Sequence, residues 1–257
     1  MKSTEESVMM AMDCMDRELL PFLPYILQDF WELGSDPETM IEIIRRFTAA
    51  GDSIKVLDLG CGKGAVSVRI AQRFHCICHG VDAIPEFIAY ANIKASEYGV
   101  EHLCRFQMGD IRHWISSAGT YDVIILGSIG QVFGNHTETV AILKQYLTDD
   151  GIIIIDDWYV DESSTLQDEQ IFTKREILRQ ISAAGMTLIG ELQASSNKDL
   201  ASEYDAEYLN ISKRCGELAD VYPDKADLFN NYIRRQKTEY DRLKTNVNCT
   251  TMVVRCN

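Results

Sequence analysis

Short apolar runs alternate with amphipathic stretches along most of this chain. The run Val56-Leu57-Asp58-Leu59, the stretch from His75 to Val81 closing at Asp82, Leu103 to Met108, Tyr121 to Leu126 and Ile152 to Ile155 each read as strands. The last two hold four consecutive apolar residues, Val123-Ile124-Ile125-Leu126 and Ile152-Ile153-Ile154-Ile155, the pattern of strands buried on both faces. Met186 to Leu192 and Cys249 to Arg255 supply a sixth and a seventh strand. Between them the apolar period lengthens to that of a helix. Met40, Ile43, Ile44 and Phe47 follow the start signal Asp36-Pro37 and run toward Gly51; Val66, Ile70 and Phe74 share a face over 65–74. A further helix starts at Ile84-Pro85-Glu86 and stops at Gly99. Val140, Leu143 and Leu147 mark another, and the capping box Thr173-Lys174-Arg175-Glu176 opens one that stops at Gly185. Strands alternating with helices at this spacing predict an α/β fold with a doubly wound, mostly parallel sheet.

Two stretches depart from that alternation. Residues 16–33 are crowded with large apolar side chains but broken by Pro21 and Pro24, which predicts short helical pieces. Residues 196–247, before the last strand, read as two amphipathic helices divided near Tyr222-Pro223: Leu200, Tyr204 and Tyr208 lie on one face of the first, and Leu228, Tyr232, Gln236, Tyr240 and Leu243 along the second. The expected organisation is a single domain over 1–257, with an N-terminal helical cover at 1–36, a ligand-binding core at 37–195, a helical insertion at 196–247 and the last strand at 248–257.

Composition narrows the class. The 257 residues carry 25 Lys and Arg against 39 Asp and Glu, a net charge of −14, which argues against attraction to nucleic acid or anionic membranes. No apolar run is long enough to span a bilayer, and the acidic start Met1-Lys2-Ser3-Thr4-Glu5-Glu6 lacks the order of a signal peptide. Eight scattered cysteines fit reduced thiols better than a disulfide framework, so a cytoplasmic protein is expected. The cluster His75-Cys76-Ile77-Cys78-His79 suggests metal binding at first sight. On a strand, however, its cysteines and histidines face opposite ways, and zinc spacing is absent; no metal site is expected.

The chemistry concentrates where strands end. Gly60, Gly62 and Gly64 occupy alternate positions after the first strand, which lets the backbone turn sharply and approach a ligand, with a helix N-terminus behind them. Asp82 closes the second strand, where a carboxylate can accept both hydroxyls of a ribose. The ligand therefore contains a nucleoside. A dinucleotide site calls for G-x-G-x-x-G, whereas this chain has Gly60-x-Gly62-x-Gly64 preceded by Asp58.

Asp58-Leu59-Gly60-Cys61-Gly62-Lys63-Gly64 resembles the first motif of the class I S-adenosylmethionine-dependent methyltransferases. Three further segments fall in order with that family: Asp82 with Ala83 at the ribose position, Gly109-Asp110-Ile111 at the adenine position with Asp110 toward the exocyclic amine, and the fourth-strand motif ending in Gly127-Ser128 beside the methionine part. The resemblance covers 54–192 and implies a Rossmann-like seven-stranded sheet with an antiparallel last strand and a helical cap. It also implies S-adenosylmethionine as cofactor, S-adenosylhomocysteine as product, and a small-molecule methyl acceptor as partner. The Asn/Asp-Pro-Pro-aromatic box of base-directed members is absent; Gly127-Ser128-Ile129-Gly130 stands there. Two other readings stay open on the residues alone, a nicotinamide-dependent oxidoreductase and a non-catalytic nucleoside-binding module.

In-line attack on a sulfonium methyl asks mainly for alignment, and for a base only when the nucleophile arrives protonated. His136 and Asp157 are the candidates for that base, set against plainer roles as a surface helix-start residue and a loop acid or cap. Trp31, Trp158, Tyr159 and Tyr204 are candidates for lining an acceptor pocket, set against ordinary packing. Cys61 reads as a small residue tolerated beside the cofactor, since no base partner for a nucleophilic thiol is indicated. Acceptor identity and oligomeric state are not written in the pattern.

Overall fold

The computed structural model describes residues 3–49, 53–164, 171–193, 197–245 and 247–257. In chain order, α1 (Thr4–Ala11) and α2 (Leu23–Ile26), with a 3-10 turn over Arg17–Phe22 between them, precede α3 (Pro37–Phe47) and β1 (Lys55–Leu59). Then come α4 (Ala65–Phe74), β2 (Ile77–Asp82), α5 (Pro85–Glu97), β3 (Cys104–Met108), the single turn α6 (Ile111–Trp114) and β4 (Tyr121–Gly127). The chain continues with α7 (His136–Leu143), β5 (Leu147–Tyr159), α8 (Lys174–Ala183), β6 (Met186–Gln193), α9 (Asn197–Val221), α10 (Ala226–Thr245) and β7 (Asn248–Cys256). It divides into two compact units, Trp31–Leu192 with Thr250–Asn257, and Met1–Phe30 with Gln193–Cys249. The division falls at Trp31, where the sequence reading placed it after residue 36.

The first unit is built on a seven-stranded sheet of order β3-β2-β1-β4-β5-β7-β6. Strands β3, β2, β1, β4 and β5 are mutually parallel, with Asp58 opposite Gly80 and Ile125. Strand β7 runs against β6: Asn257 N donates to Gly185 O at the start of β6, while Thr250 Oγ1 donates to Leu192 O at its far end. The doubly wound, mostly parallel sheet with a reversed last strand is therefore the expected one. Because side chains alternate along a strand, the continuous apolar runs feed two cores. Val123, Ile125, Ile152 and Ile154 pack with Met40, Ile44, Val68 and Ile70 on one face; Ile124, Leu126, Ile153 and Ile155 pack with Val140, Leu143, Ile177 and Ile181 on the other. Chain order reverses direction across β1 and β4, and the crevice at their carboxyl ends is where such sheets bind ligands.

Helix boundaries follow local chemistry. Asp36 accepts from the Glu38 and Thr39 amides to start α3, and Thr173 with Glu176 forms the expected capping box of α8. Gly51, expected to end α3, lies outside the described residues, as does the Leu200 side chain; α3 ends at Phe47. Three expectations are corrected. Leu147 opens β5 rather than continuing α7, which ends at Leu143 and passes through a 3-10 turn. Strand β5 does not stop before Asp156 but carries its extended backbone through Tyr159, so Asp156 and Asp157 face opposite sides of the sheet. His75 is the left-handed cap of α4 at φ 54°, not a strand residue. Helix α1 was not anticipated, although Ser3 and Glu6 form a capping box legible in the sequence.

The second unit is helical. The two proline-broken pieces and the two long helices fall where the sequence placed them, with the break between α9 and α10 at Tyr222–Lys225. Phe229 is fully buried and stands edge-on to Phe22 at 5.1 Å. Charged pairs tie the two parts of the chain: Arg214 forks onto Asp29 at 2.7 Å through both Nε and Nη2, Tyr25 donates to Glu217 at 2.7 Å, and Lys225 pairs with Glu18.

Gly80 on β2 leaves space that neighbours fill: a Cβ there would stand 2.6 Å from Phe106 Cδ1 and 2.8 Å from Cys61 Sγ. Gly80→Ala should destabilise the protein by about 1–3 kcal/mol through overpacking. Adding Phe106→Leu should recover part of that loss, and urea unfolding of the single and double variants measures both.

Candidate functional site

The glycine turn is held from below by two carboxylates. Asp58, on β1 and 3% exposed, accepts from Ser67 Oγ at 2.7 Å and from the Ser67 amide in the first turn of α4. It thus caps a helix whose own N-cap, Gly64, has no side chain to do so. Asp82, 8% exposed at the end of β2, accepts from Gly62 N through Oδ2 and from Ile84 N through Oδ1, both at 2.9 Å. The Gly60 and Cys61 amides donate to Val81 O at 2.8 and 3.1 Å, so the turn is stitched to β2 at three points. Gly60, Gly62 and Gly64 have φ of 77°, 51° and 76°, a left-handed backbone that side-chain-bearing residues resist.

Burial raises the proton affinity of both carboxyls. For Asp58, desolvation outweighs its Ser67 hydrogen bonds, with the Asp82 charge adding to it, and carries the pKa to about 6. For Asp82, desolvation outweighs the Ile84, Gly62 and Ala83 amides. Gly62 and Ile84 each bond one Asp82 oxygen, and a carboxylate with about four lone-pair positions keeps room for a ligand hydroxyl beside these backbone donors. Ala83 contributes its amide to the same carboxylate. The Cys61 thiol is buried, and desolvation with the nearby Asp58 and Asp82 charges pushes its pKa well above the ordinary thiol value, which keeps it protonated and poorly nucleophilic.

Other predicted residues take up distinct places. Gly109 N donates to Asp82 O at 2.9 Å, which sets the β3 end beside the β2 end. Asp110 caps α6 through the Arg112 amide at 2.9 Å, and its carboxylate receives Arg112 Nε at 3.0 Å and Nη2 at 2.6 Å. Ile111 is buried in the core beneath α6. Gly127 makes room for Ser35, whose Oγ would lie 2.7 Å from any Cβ there. Ser128, at φ 54°, turns the chain after β4.

Asp156 gathers Ser35, Ser128 and Thr251: Ser35 Oγ donates to Oδ2 at 2.5 Å, Ser128 Oγ to Oδ2 at 3.3 Å, and Thr251 Oγ1 to Oδ1 at 3.0 Å. Burial still raises its pKa above the usual carboxylate value. Ser35 and Thr251 were not anticipated, because only the sheet order brings β7 and the segment before α3 to the end of β5.

Of the aromatic candidates, Trp31 donates from Nε1 to Lys63 O at 3.1 Å and packs on Tyr98, 4.9 Å between ring centres, under Lys94. Trp158 is half-buried beside Asp157; Tyr159 is buried with Lys174 Nζ 5.6 Å above its ring. Tyr204 belongs to the helical unit, 5.6 Å from Tyr240. In the metal-like cluster, Cys76 and Cys78 meet at 3.9 Å within the core, whereas His79 bonds Tyr121 Oη at 2.8 Å on the other face.

His136 and Asp157 do come together. His136 Nε2 lies 3.4 Å from Asp157 Oδ2, and both residues border a small pocket, partly open to solvent, with Leu126, Ile129, Gln131 and Asp156. His136 is buried at 5% exposure, which sets aside its reading as a surface residue.

The Rossmann-like sheet, its carboxyl-end glycine turn and the acid at the end of β2 define a nucleoside-cofactor fold of the methyltransferase type. A family model for the methyltransferase domain matches residues 50–216, and the chain belongs to that family, the class I enzymes whose cofactor is S-adenosylmethionine. A 2-heptyl-1-hydroxyquinolin-4(1H)-one methyltransferase of Mycobacteroides abscessus is 32% identical over 95 residues, 37% of this chain and 40% of that protein. An uncharacterised methyltransferase, YcgJ, of Bacillus subtilis is 26% identical over 157 residues, 61% of this chain and 60% of that one. The match to M. abscessus therefore spans less than half of that relative, and the one to B. subtilis three-fifths. A methyltransferase structure from Geobacter sulfurreducens with S-adenosylhomocysteine superposes with a TM-score of 0.76 at 18% identity, covering 92% of this chain and 98% of that one. The [4+2]-cyclase SpnF superposes with 0.69 at 14% identity, covering 99% and 97%.

The raised Asp58 pKa has a thermodynamic consequence with a definite sign. A carboxyl that holds its proton more tightly when folded adds stability below its unfolded pKa, near 4, and loses it as pH rises through about 6. Asp58→Asn removes that dependence while keeping an acceptor for Ser67. Between pH 4 and 6.5 the variant should gain on the order of 2–3 kcal/mol relative to the unsubstituted protein. Urea midpoints taken across that range read the difference.

Proposed function

We propose that this protein transfers the methyl group of S-adenosylmethionine to a small-molecule acceptor, with the nucleoside held by the glycine turn and Asp82. The observation that carries the reading is the Asp82 carboxylate. It fastens the left-handed turn at Gly62 and keeps a lone pair for a ribose hydroxyl. The cofactor supplies an electrophilic methyl group; the chain supplies orientation. Gly60 and Gly62 let backbone approach the ligand, and Gly127 and Ser128 at the end of β4 stand where the methionine part would lie. Asp110, held by Arg112 after the end of β3, stands where an adenine amine would lie.

Family membership supports the reaction class. The net charge of −14 supports acceptors other than nucleic acid, and the eight scattered cysteines support action in the cytoplasm. The M. abscessus relative, whose name gives it a hydroxyquinolone substrate, fits the same class.

Calorimetric titration with S-adenosylhomocysteine is the direct test. Asp82→Ala should weaken binding by roughly 30-fold or more, the loss of charge-assisted hydrogen bonds worth about 2 kcal/mol or above. Stabilisation by a nicotinamide dinucleotide in place of S-adenosylhomocysteine would sink the proposal. So would cofactor binding without S-adenosylhomocysteine release across broad metabolite extracts.

A further inference from the structure

We infer that Ser128, backed by the Asp156 carboxylate, holds the α-ammonium of the cofactor's amino-acid end, with Asp156 as its positioning residue. This rests on the methyltransferase reading above and names the chemical group that the end of β4 recognises.

Asp156 is a carboxylate without a cation. It is half-buried at the end of β5, and among the described residues it pairs with hydroxyls and with no lysine, arginine or histidine. Its charged neighbour, Asp157, has the same sign, and burial outweighs the three hydroxyls, so its proton affinity is raised. Asp110 and Glu191, by contrast, each hold a cation, Arg112 and Lys174. A charge withdrawn from water is costly unless an opposite charge faces it, and a ligand can bring that charge.

The hydroxyls decide what such a ligand meets. Each has one hydrogen and two lone pairs. Ser35 Oγ, 2.5 Å from Asp156 Oδ2, spends its hydrogen on the carboxylate, as Thr251 Oγ1 does on Oδ1 at 3.0 Å. Ser128 Oγ lies 3.3 Å from Asp156 Oδ2 and 3.3 Å from Ser35 Oγ. Both of those oxygens accept, so its hydrogen is spent inward whichever takes it. The lone pairs of Ser128 remain for a donor. Ser35 and Thr251 are buried and Ser128 is exposed, which makes Ser128 the member that a ligand can touch.

The backbone fixes that hydroxyl in place. Ser128 has φ 54°, a left-handed conformation that a side-chain-bearing residue keeps only where its surroundings determine it. Its amide donates to Asp156 O at 3.1 Å, tying the turn after β4 to β5. Gly34 packs behind it, where a Cβ would stand 2.7 Å from Ser128 Cβ. The side chain of Ile129, the next residue, fills the space that a Cβ on Gly60 would need. Ser128 therefore stands next to the glycine turn.

S-adenosylmethionine carries two cations, its sulfonium and its α-ammonium. A sulfonium has no N–H or O–H to donate, whereas an ammonium has three N–H donors. Lone pairs backed by a negative charge suit the ammonium, in a charge-assisted hydrogen bond. The cofactor's own carboxylate would be repelled by Asp156, which orients the amino-acid end with its amine toward β4.

Calorimetric titration with S-adenosylhomocysteine, its deaminated analogue and its decarboxylated analogue, which keeps the amine, tests the assignment. The wild type should lose roughly tenfold or more in affinity on deamination. Ser128→Gly suits the left-handed backbone and removes the hydroxyl. It should weaken S-adenosylhomocysteine and the decarboxylated analogue by roughly tenfold, and shift the deaminated analogue by less than about twofold. Asp156→Asn keeps an acceptor for the hydroxyls and removes the charge; it should show the same amine-dependent loss. A merely structural role would weaken all three ligands alike, and that result overturns the inference. So does a wild type that binds the deaminated analogue as tightly as S-adenosylhomocysteine, or a Ser128→Gly protein with unchanged affinities. A wild type that binds none of the three overturns the function reading, and this inference with it.

Discussion

Two buried carboxylates at the ends of neighbouring parallel strands hold the site together. A left-handed glycine turn is a costly piece of backbone, and nothing in its own sequence keeps it in one conformation. Asp82 supplies the missing constraint through the Gly62 amide, and Asp58 does the same for the first turn of the following helix. Both charges are withdrawn from water to do so, and desolvation raises both pKa values. The residues that shape the cradle thus weaken the fold around neutral pH. A site can tolerate that loss because the sheet beneath it is buried on both faces.

The pleat of β5 makes the second division of labour. Neighbours in sequence, Asp156 and Asp157 enter separate networks on opposite sides of the sheet. Asp156 ties Ser35, Ser128 and Thr251 into one knot that fastens the segment before α3 and the reversed strand β7 to the end of β5. Asp157 faces the start of α7 and meets His136. One strand end therefore serves a hydroxyl network on one face and the pair with His136 on the other.

Much of the glycine turn and its two acids was legible in the chain, since their signals are local. Glycine spacing, an acid at a strand end and proline or Asx starts each act within a few residues. Even the long insertion was readable, through its helical period and the break at Tyr222-Pro223. The contacts made across the sheet were less so. Trp31 was expected to line a pocket, but its indole is committed to the Lys63 carbonyl and to Tyr98. Ser35 and Thr251 had no signal at all, because nothing local distinguishes a serine that meets a carboxylate 121 positions away.

The sequence by itself determined the alternation of strands and helices, the glycine turn and the acids that close the strands, because periodicity and backbone preference act at short range. The tertiary structure decided which of those acids are buried, which face each occupies and which partners they meet. Proton affinity and pairing depend on solvent exclusion and on contacts made across the sheet. His136 shows the difference: in the sequence it is one polar residue at a helix start, and in the fold it is a buried ring 3.4 Å from Asp157.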